Sequence, residues 1–303
     1  MLTGYLHADY AMSLREFGQP YQLPRSKGWI LRRKIPGTNY FDAMGIYPYF
    51  CCQNWDKLKE DLDNLHDLIS IIMIPDPFGD YTESYLKECF SDLAVPYKEH
   101  YVADFSKSMG EILSHHHRRD CRVSLRKVDI EIVENPVEHI DTWMNLHNNL
   151  VKKHNITGIK AFSRQSFAEQ LQLPGTLFLI ARHNNIPVGA LIAIQYNDIL
   201  NLHVVGYSAE GYKNLCIYAL YYTAYDFSRN KVKWGNIGGV PGAQPDKVDH
   251  YKIFKQGWAT ETRMAYLCGR IFNKDIYDKL TIASGNTPGK TNYFPLYRTG
   301  QIK

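Results

Sequence analysis

The chain has 303 residues, of which 45% are hydrophobic, 13% aromatic and 22% charged. Those proportions exclude a disordered or collagen-like polymer and leave ample material for a buried core. Thirty-five Lys and Arg against 31 Asp and Glu give a formal charge of +4, too small a surplus to mark a nucleic-acid binder by itself.

In chain order, strands are predicted at 29–34 (WILRRK) and 40–50 (YFDAMGIYPYF), parted by the turn at Pro36 and Gly37. A helix is expected over 55–66, with Asn54 as its N-cap and Trp55, Leu58, Leu62 and Leu65 at helical spacing. The run 69–74 (ISIIMI) reads as a buried strand, followed by a helix over 83–90 and a strand over 97–104. From 108 to 126 a helix is expected to run into a strand at 129–134. Within it Arg118, Arg122 and Arg126 fall four residues apart, which would place them on one helix face as a basic ridge able to meet phosphates. The adjacent His115, His116 and His117 point in different directions on a helix, so no metal site is expected there.

The second half carries clearer signals. Ile140, Trp143, Met144, His147, Leu150 and Val151 mark one helix face, with His147 read as a core histidine, and Ser163 opens a further helix. Three strands follow at 176–183, 188–196 and 200–207, forming an antiparallel meander. Then come a long helix over 211–230, a strand over 232–237, the loop Gly238-Gly239-Val240-Pro241-Gly242, a helix over 249–254 and a strand over 263–270. Tyr218, Tyr221, Tyr222 and Tyr225 form one aromatic face of the long helix, a packing surface between the halves. The 22 tyrosines are spread along the whole chain, as suits core filling and half-wet clefts. The six cysteines form no CxxC pair and no metal spacing, so reduced structural thiols are expected. With no run of about 18 apolar residues and no signal-peptide pattern at the start, the expectation is a soluble, cytoplasmic protein of bacterial type, without a membrane span.

Three stretches carry a family resemblance: His117 to Ile130, with its basic helix entering a strand; Trp234-Gly235-Asn236-Ile237-Gly238-Gly239; and Tyr251-Lys252-Ile253-Phe254-Lys255-Gln256-Gly257-Trp258. Together with the element order, the sequence resembles the Fem-like branch of the GNAT acyltransferase superfamily, the peptidoglycan-bridge aminoacyl transferases and their relatives. That resemblance implies an α/β (α+β) fold of tandem GNAT-like domains with mixed, mostly antiparallel sheets flanked by helices. The expected division is an incomplete half over 1–107, a complete GNAT-like domain over 108–280 that includes the basic junction helix, and a tail over 281–303.

The implied activity is N-acyl transfer from acyl-CoA or aminoacyl-tRNA, used as a co-substrate, to a small-molecule or peptidoglycan-precursor-like amine. The amine would attack directly in a ternary complex, with no permanently bound cofactor, tRNA as a partner, and a monomer or homodimer as the working unit. Lys255 is expected to stabilise the oxyanion or hold a phosphate, His203 to accept the amine proton and Tyr207 to protonate the leaving group. Asn201, His203, Val205 and Tyr207 would share one face of their strand. Asn236, Gly238 and Gly239 are expected to let backbone approach the substrate, while Tyr251, Phe254 and Asp249 flank it and Arg118, Arg122 and Arg126 bind its phosphates. The place of the usual pyrophosphate loop reads Ser208-Ala209-Glu210-Gly211, with one glycine and an acid. A non-catalytic GNAT-fold binding or assembly protein is therefore the alternative.

Overall fold

The computed structural model describes residues 2–240, 245–287 and 293–299, the side chains of 154 and 245–249 excepted. The chain forms two compact α/β units, one made of 5–97, 157–162 and 264–303, the other of 1–4, 98–156 and 163–263. The change of unit falls at Tyr97/Lys98, ten residues before the expected 107, because the strand there is continuous through it. The chain also returns to the first unit at Met264, so the expected tail is part of a domain: Tyr297 and Arg298 are buried.

The first unit contains α1 (Ala8–Ser13), β1 (Gln19–Gln22), β2 (Trp29–Lys34), β3 (Phe41–Gly45), α2 (Leu58–Leu62), β4 (Leu68–Met73) and α3 (Glu83–Cys89). Strands β1, β2 and β3 are antiparallel neighbours, and β3 pairs parallel to β4. Strand β4 is buried along nearly its whole length, as a strand covered on both faces must be. Leu23, Ile30, Phe50, Trp55, Leu58 and Ile71 form the core of the unit. The expected helix over 55–66 is a 3-10 turn at Trp55–Lys57 leading into α2. Asn54 does not cap it, since its side-chain amide donates to the Arg25 carbonyl at 3.0 Å.

Strand β5 (Leu93–Asp104) enters the second unit at Lys98. There follow α4 (Met109–Ile112), α5 (His115–Ser124), β6 (Asp129–Ile132), α6 (Ile140–His154), α7 (Arg164–Gln170), β7 (Thr176–His183), β8 (Ile186–Tyr196) and β9 (Ile199–Tyr207). After them come α8 (Ala209–Lys213), α9 (Cys216–Ser228), β10 (Trp234–Gly239), α10 (Pro245–Gln256), β11 (Glu261–Ile271) and, back in the first unit, α11 (Lys274–Ala283). Within the second unit the strand order is β5-β10-β9-β8-β7-β6, and β11 is antiparallel to β4 in the first. The expected meander is present, and Ser163 caps α7 by accepting from Ser166 N–H at 3.1 Å.

Two departures shape the site. The long helix is broken into α8 and α9 at Leu215, whose φ of 57° is left-handed. The parallel pair β9 with β10 of the second unit runs over three residue pairs and stops at Asn201/Asn236, although both strands continue. Beyond that point β10 turns through Gly238 at φ +71°, and its ladder to β5 shifts register before Gly239. Burial of Leu179, Leu191, Leu220, Tyr225 and Trp258 around these strands makes the core of the unit.

Candidate active site

Lys255 sits in the last turn of α10 and reaches the end of β10. Its ammonium donates to the carbonyls of Ile237 and, at 3.2 Å, of Gly238. Burial, and then the charge of Lys98, pull its pKa down from 10.5 to about 7. Among the described residues no carboxylate pairs with it. The Lys98 stem runs over Gly239, where any Cβ would stand 2.6 Å from Lys98 Cδ. Gly239 is therefore needed for the second lysine to lie there.

Beneath the lysines is a buried polar chain. Asn236 Oδ1 accepts from Gly238 N–H at 2.8 Å and stands 3.3 Å from His100 Nδ1, while Asn236 Nδ2 donates to Asn201 Oδ1 at 3.0 Å. His100 is 7% exposed. Burial, then Lys255 and Lys98, pull its pKa to about 3, so its imidazole is neutral at ordinary pH. A neutral ring facing the Asn236 carbonyl oxygen places its proton on Nδ1. Lys98 and His100 were not among the residues singled out from sequence, whereas Asn201 was, on the polar face of its strand. Alternation along a strand already expected at 97–104 puts Lys98, His100 and Val102 on one face, the signal that would have found the first two.

Lys255, Asn236, Gly238 and Gly239 thus lie together, and the other residues do not all join them. His203 Nε2 lies 3.2 Å from Gln170 Oε1 of α7, and burial, then His147, pull its pKa to about 3. Such a group is a poor proton acceptor at neutral pH. The expected common face of β9 is also interrupted: a bulge between Ile192 and Ala193 of β8 leaves His203 out of register. Leu202, Val205 and Tyr207 therefore pack with Leu200 on the core, while Gly206 abuts the His147 backbone. Tyr207 stacks on Tyr212 with ring centres 6.4 Å apart, and burial, then Tyr251, hold its phenol above the ordinary range. Tyr251 is exposed, and the side chain of Asp249 lies outside the described residues, as do Pro241 and Gly242.

The basic ridge is not a ridge. Helix α5 ends at Ser124, so Arg126 falls beyond it; Arg118 donates to Gly110 O at 3.2 Å and Arg122 to Arg118 O at 3.3 Å, both at the exposed surface. What α5 contributes is His117. Its Nδ1 accepts from the Ser114 hydroxyl at 3.0 Å and its Nε2 donates to Phe254 O at 2.9 Å, with burial lowering its pKa. The ring occupies space that only a glycine at 257 leaves open, since a Cβ there would be 2.2 Å from His117 Cε1. Phe254 and Trp258 close over it with Tyr218 and Tyr221, so the aromatic face of α9 packs within this unit. A cavity of about 470 Å³ opens beside this cluster, lined by His116, Asp120, His250 and Phe254 among others. The three sequence stretches that carried the resemblance therefore converge on α10: His117 anchors it, Gly257 and Trp258 seat it, and the end of β10 receives Lys255.

At the start of α8 the one glycine has a packing reason. A Cβ on Gly211 would stand 2.1 Å from Val188 O, and the Gly211 N–H is already taken by Ser208 Oγ at 3.1 Å. All six cysteines are buried thiols, and burial pushes Cys121 and Cys216 up to about 12. No helix of the described residues is long and apolar enough to cross a membrane.

No family model and no curated protein matches the sequence. Solved structures do. FemX superposes with a TM-score of 0.68 at 13% identity, over 90% of this chain and 93% of that one. The L-PGS of Bacillus licheniformis gives 0.61 at 12% identity, over 93% and 92%. The C-terminal domain of a putative lysylphosphatidylglycerol synthetase from Agrobacterium fabrum gives 0.58 at 13% identity, over 88% of each chain. Over nearly its whole length the chain therefore has the fold of FemX and of the two lysylphosphatidylglycerol synthetase structures.

Proposed function

We propose that the chain is an acyltransferase that moves an acyl or aminoacyl group from an activated ester to an amine, by direct attack in a ternary complex. The observation that carries this reading is the lysine pair, Lys255 with Lys98, half-buried where β9 and β10 part and backed by the neutral His100. Burial opposes the charge on Lys255, so an oxyanion or phosphate arriving beside it favours the protonated form and is stabilised by a cation already partly shielded from water. The two carbonyls that hold its nitrogen fix where that charge stands. Orientation of donor and amine supplies the rest of the rate without a covalent nucleophile.

The filled start of α8 favours an aminoacyl-tRNA over acyl-CoA as donor: its first glycine N–H is capped and Glu210 adds negative charge where a pyrophosphate would sit. The acceptor is then a small-molecule or peptidoglycan-precursor-like amine, as the fold's resemblance suggests. The same filled start is what favours the second reading, a binding protein that kept the fold without the reaction. The deciding experiment incubates the full chain with a panel of aminoacyl-tRNAs or acyl-CoAs and amine acceptors and follows transfer by mass spectrometry. Turnover is expected with at least one aminoacyl-tRNA and to fall by about 100-fold or more in Lys255→Met. Full turnover in that variant would remove Lys255 from the mechanism, and absence of both turnover and donor binding would establish the second reading.

A further inference from the structure

Strand β10 bulges where it meets Lys255. Its ladder to β5 pairs Asn236 with Val102 and Gly239 with His100, so β10 advances three residues where β5 advances two, and its ladder to β9 ends at Asn236. Ile237 and Gly238 are paired in neither ladder. The peptide that joins them is trans, so its C=O and N–H point to opposite sides. Its carbonyl, Ile237 O, accepts from the Lys255 ammonium, and its amide, Gly238 N–H, donates to Asn236 Oδ1 at 2.8 Å. One peptide plane thus has the lysine on one edge and the asparagine on the other. Gly238 O, turned by the φ of +71° at that residue, accepts from the same ammonium at 3.2 Å.

We propose that Asn236 is a positioning residue, whose side chain holds the peptide between Ile237 and Gly238 in the orientation that aims two carbonyls at Lys255. It acts through the lysine and not on the substrate, since Asn236 is 2% exposed and presents almost no surface to a ligand. Its own amide is oriented from three strands. Oδ1 stands 3.3 Å from His100 Nδ1 on β5, Nδ2 donates to Asn201 Oδ1 on β9 at 3.0 Å, and Asn201 Nδ2 reaches Ile194 O on β8 at 3.4 Å. These side-chain bonds stand where the bulge interrupts the backbone ladders. A side-chain oxygen that accepts from the N–H two residues on makes an Asx turn, which a serine hydroxyl closes more weakly and an alanine not at all. The ionisable groups facing Lys255 among the described residues are Lys98 and His100 of β5. What the placement means for turnover rests on the acyl-transfer reading, whereas the hold on Lys255 does not.

The test labels the full chain with acetic anhydride from about pH 6 to about pH 11 and follows acetylation of Lys255 by peptide mass spectrometry, which requires no turnover. In Asn236→Ala the ammonium is freed from the two carbonyls and moves toward water, so the midpoint of its labelling curve should rise by about one pH unit or more. Asn236→Ser, which restores an acceptor for Gly238 N–H, should keep the midpoint within about half a unit of the unaltered chain. An asparagine with a merely structural role would lower the unfolding temperature of both variants and leave both midpoints in place. With an active chain, Asn236→Ala should lower kcat by about tenfold at nearly unchanged KM, and Asn236→Ser should recover most of it. A midpoint that rises in a chain without turnover would uphold the placement and remove the acyl-transfer reading. An unshifted midpoint in Asn236→Ala, or an equal shift in Asn236→Ser, would overturn the proposal. Where Asn236→Ala does not fold, Asn236→Ser and hydrogen exchange at the Gly238 amide of the unaltered chain decide. Protection of about 100-fold or more is expected there, and exchange at the rate of an exposed loop would overturn the proposal.

Discussion

Lys255 and His100 both have native pKa values far below their ordinary ones, about 7 against 10.5 and about 3 against 6.5. In each interval between the two values the unfolded chain binds a proton that the native chain does not, so stability rises with pH across it and falls on acidification. For Lys255 the slope is at most about 1.4 kcal/mol per pH unit. Lys255→Met should remove it: between about pH 7.5 and about pH 9.5, below the range where unfolded tyrosines ionise, the variant should show a flatter stability profile in denaturant titrations. An unchanged slope would mean that Lys255 keeps its proton in the native state. His203, with a native value of about 3, adds to the acid limb beneath pH 6.5, and His147, at about 4, stacks on Trp143 with neither ring nitrogen hydrogen-bonded among the described residues. These histidines answer to core packing. Their residue type could not show that, because the cause lies in which neighbours bury them.

Where sequence periodicity decides an element, the elements came out close to expectation: α6, α7 and the three strands β7, β8 and β9 each lie within a few residues of their predicted spans. Local irregularities escaped it. One extra residue at His203 moves Tyr207 off the expected face, and a left-handed Leu215 splits a helix whose sequence shows no Pro or Gly at the break. Near each of them two elements approach closely, Gly206 meeting the His147 backbone and Gly211 the Val188 carbonyl. Gly257 shows the same effect as a testable case. Its replacement by Ala would push a Cβ into the His117 ring, 2.2 Å from Cε1, displacing the helix end that carries Lys255. Gly257→Ala should cost about 2 kcal/mol by chemical denaturation, and His117→Ala in the same chain should recover part of that loss. Additive effects of the two substitutions would show that the ring is not what the glycine accommodates.

On the scale of the whole molecule, the two α/β units and their sheet types were legible from alternation and turn punctuation, whereas the route of the chain was not. Strands β5 and β11 each begin in one unit and end in the other, and a continuous strand carries no boundary signal in its sequence. The segment expected as a tail over 281–303 supplies Tyr297 to a small core with Ile35, Ile69 and Tyr277, and Arg298 to Asp42. Asp42 is the point where this late segment meets β2 and β3: Arg33, Arg298 and Tyr297 all donate to its fully buried carboxylate. Removing the negative charge while keeping the shape takes from Arg33 and Arg298 the buried carboxylate they both bond, a loss of about 3–5 kcal/mol for groups of this kind. Asp42→Asn should therefore lower the unfolding free energy by that order in urea titrations. Hydrogen exchange should quicken first at 30–45 and 293–299, the segments the carboxylate joins. A loss below about 1 kcal/mol would show that the guanidinium groups are held mainly by partners other than Asp42, as Arg298 is by the Lys34 carbonyl.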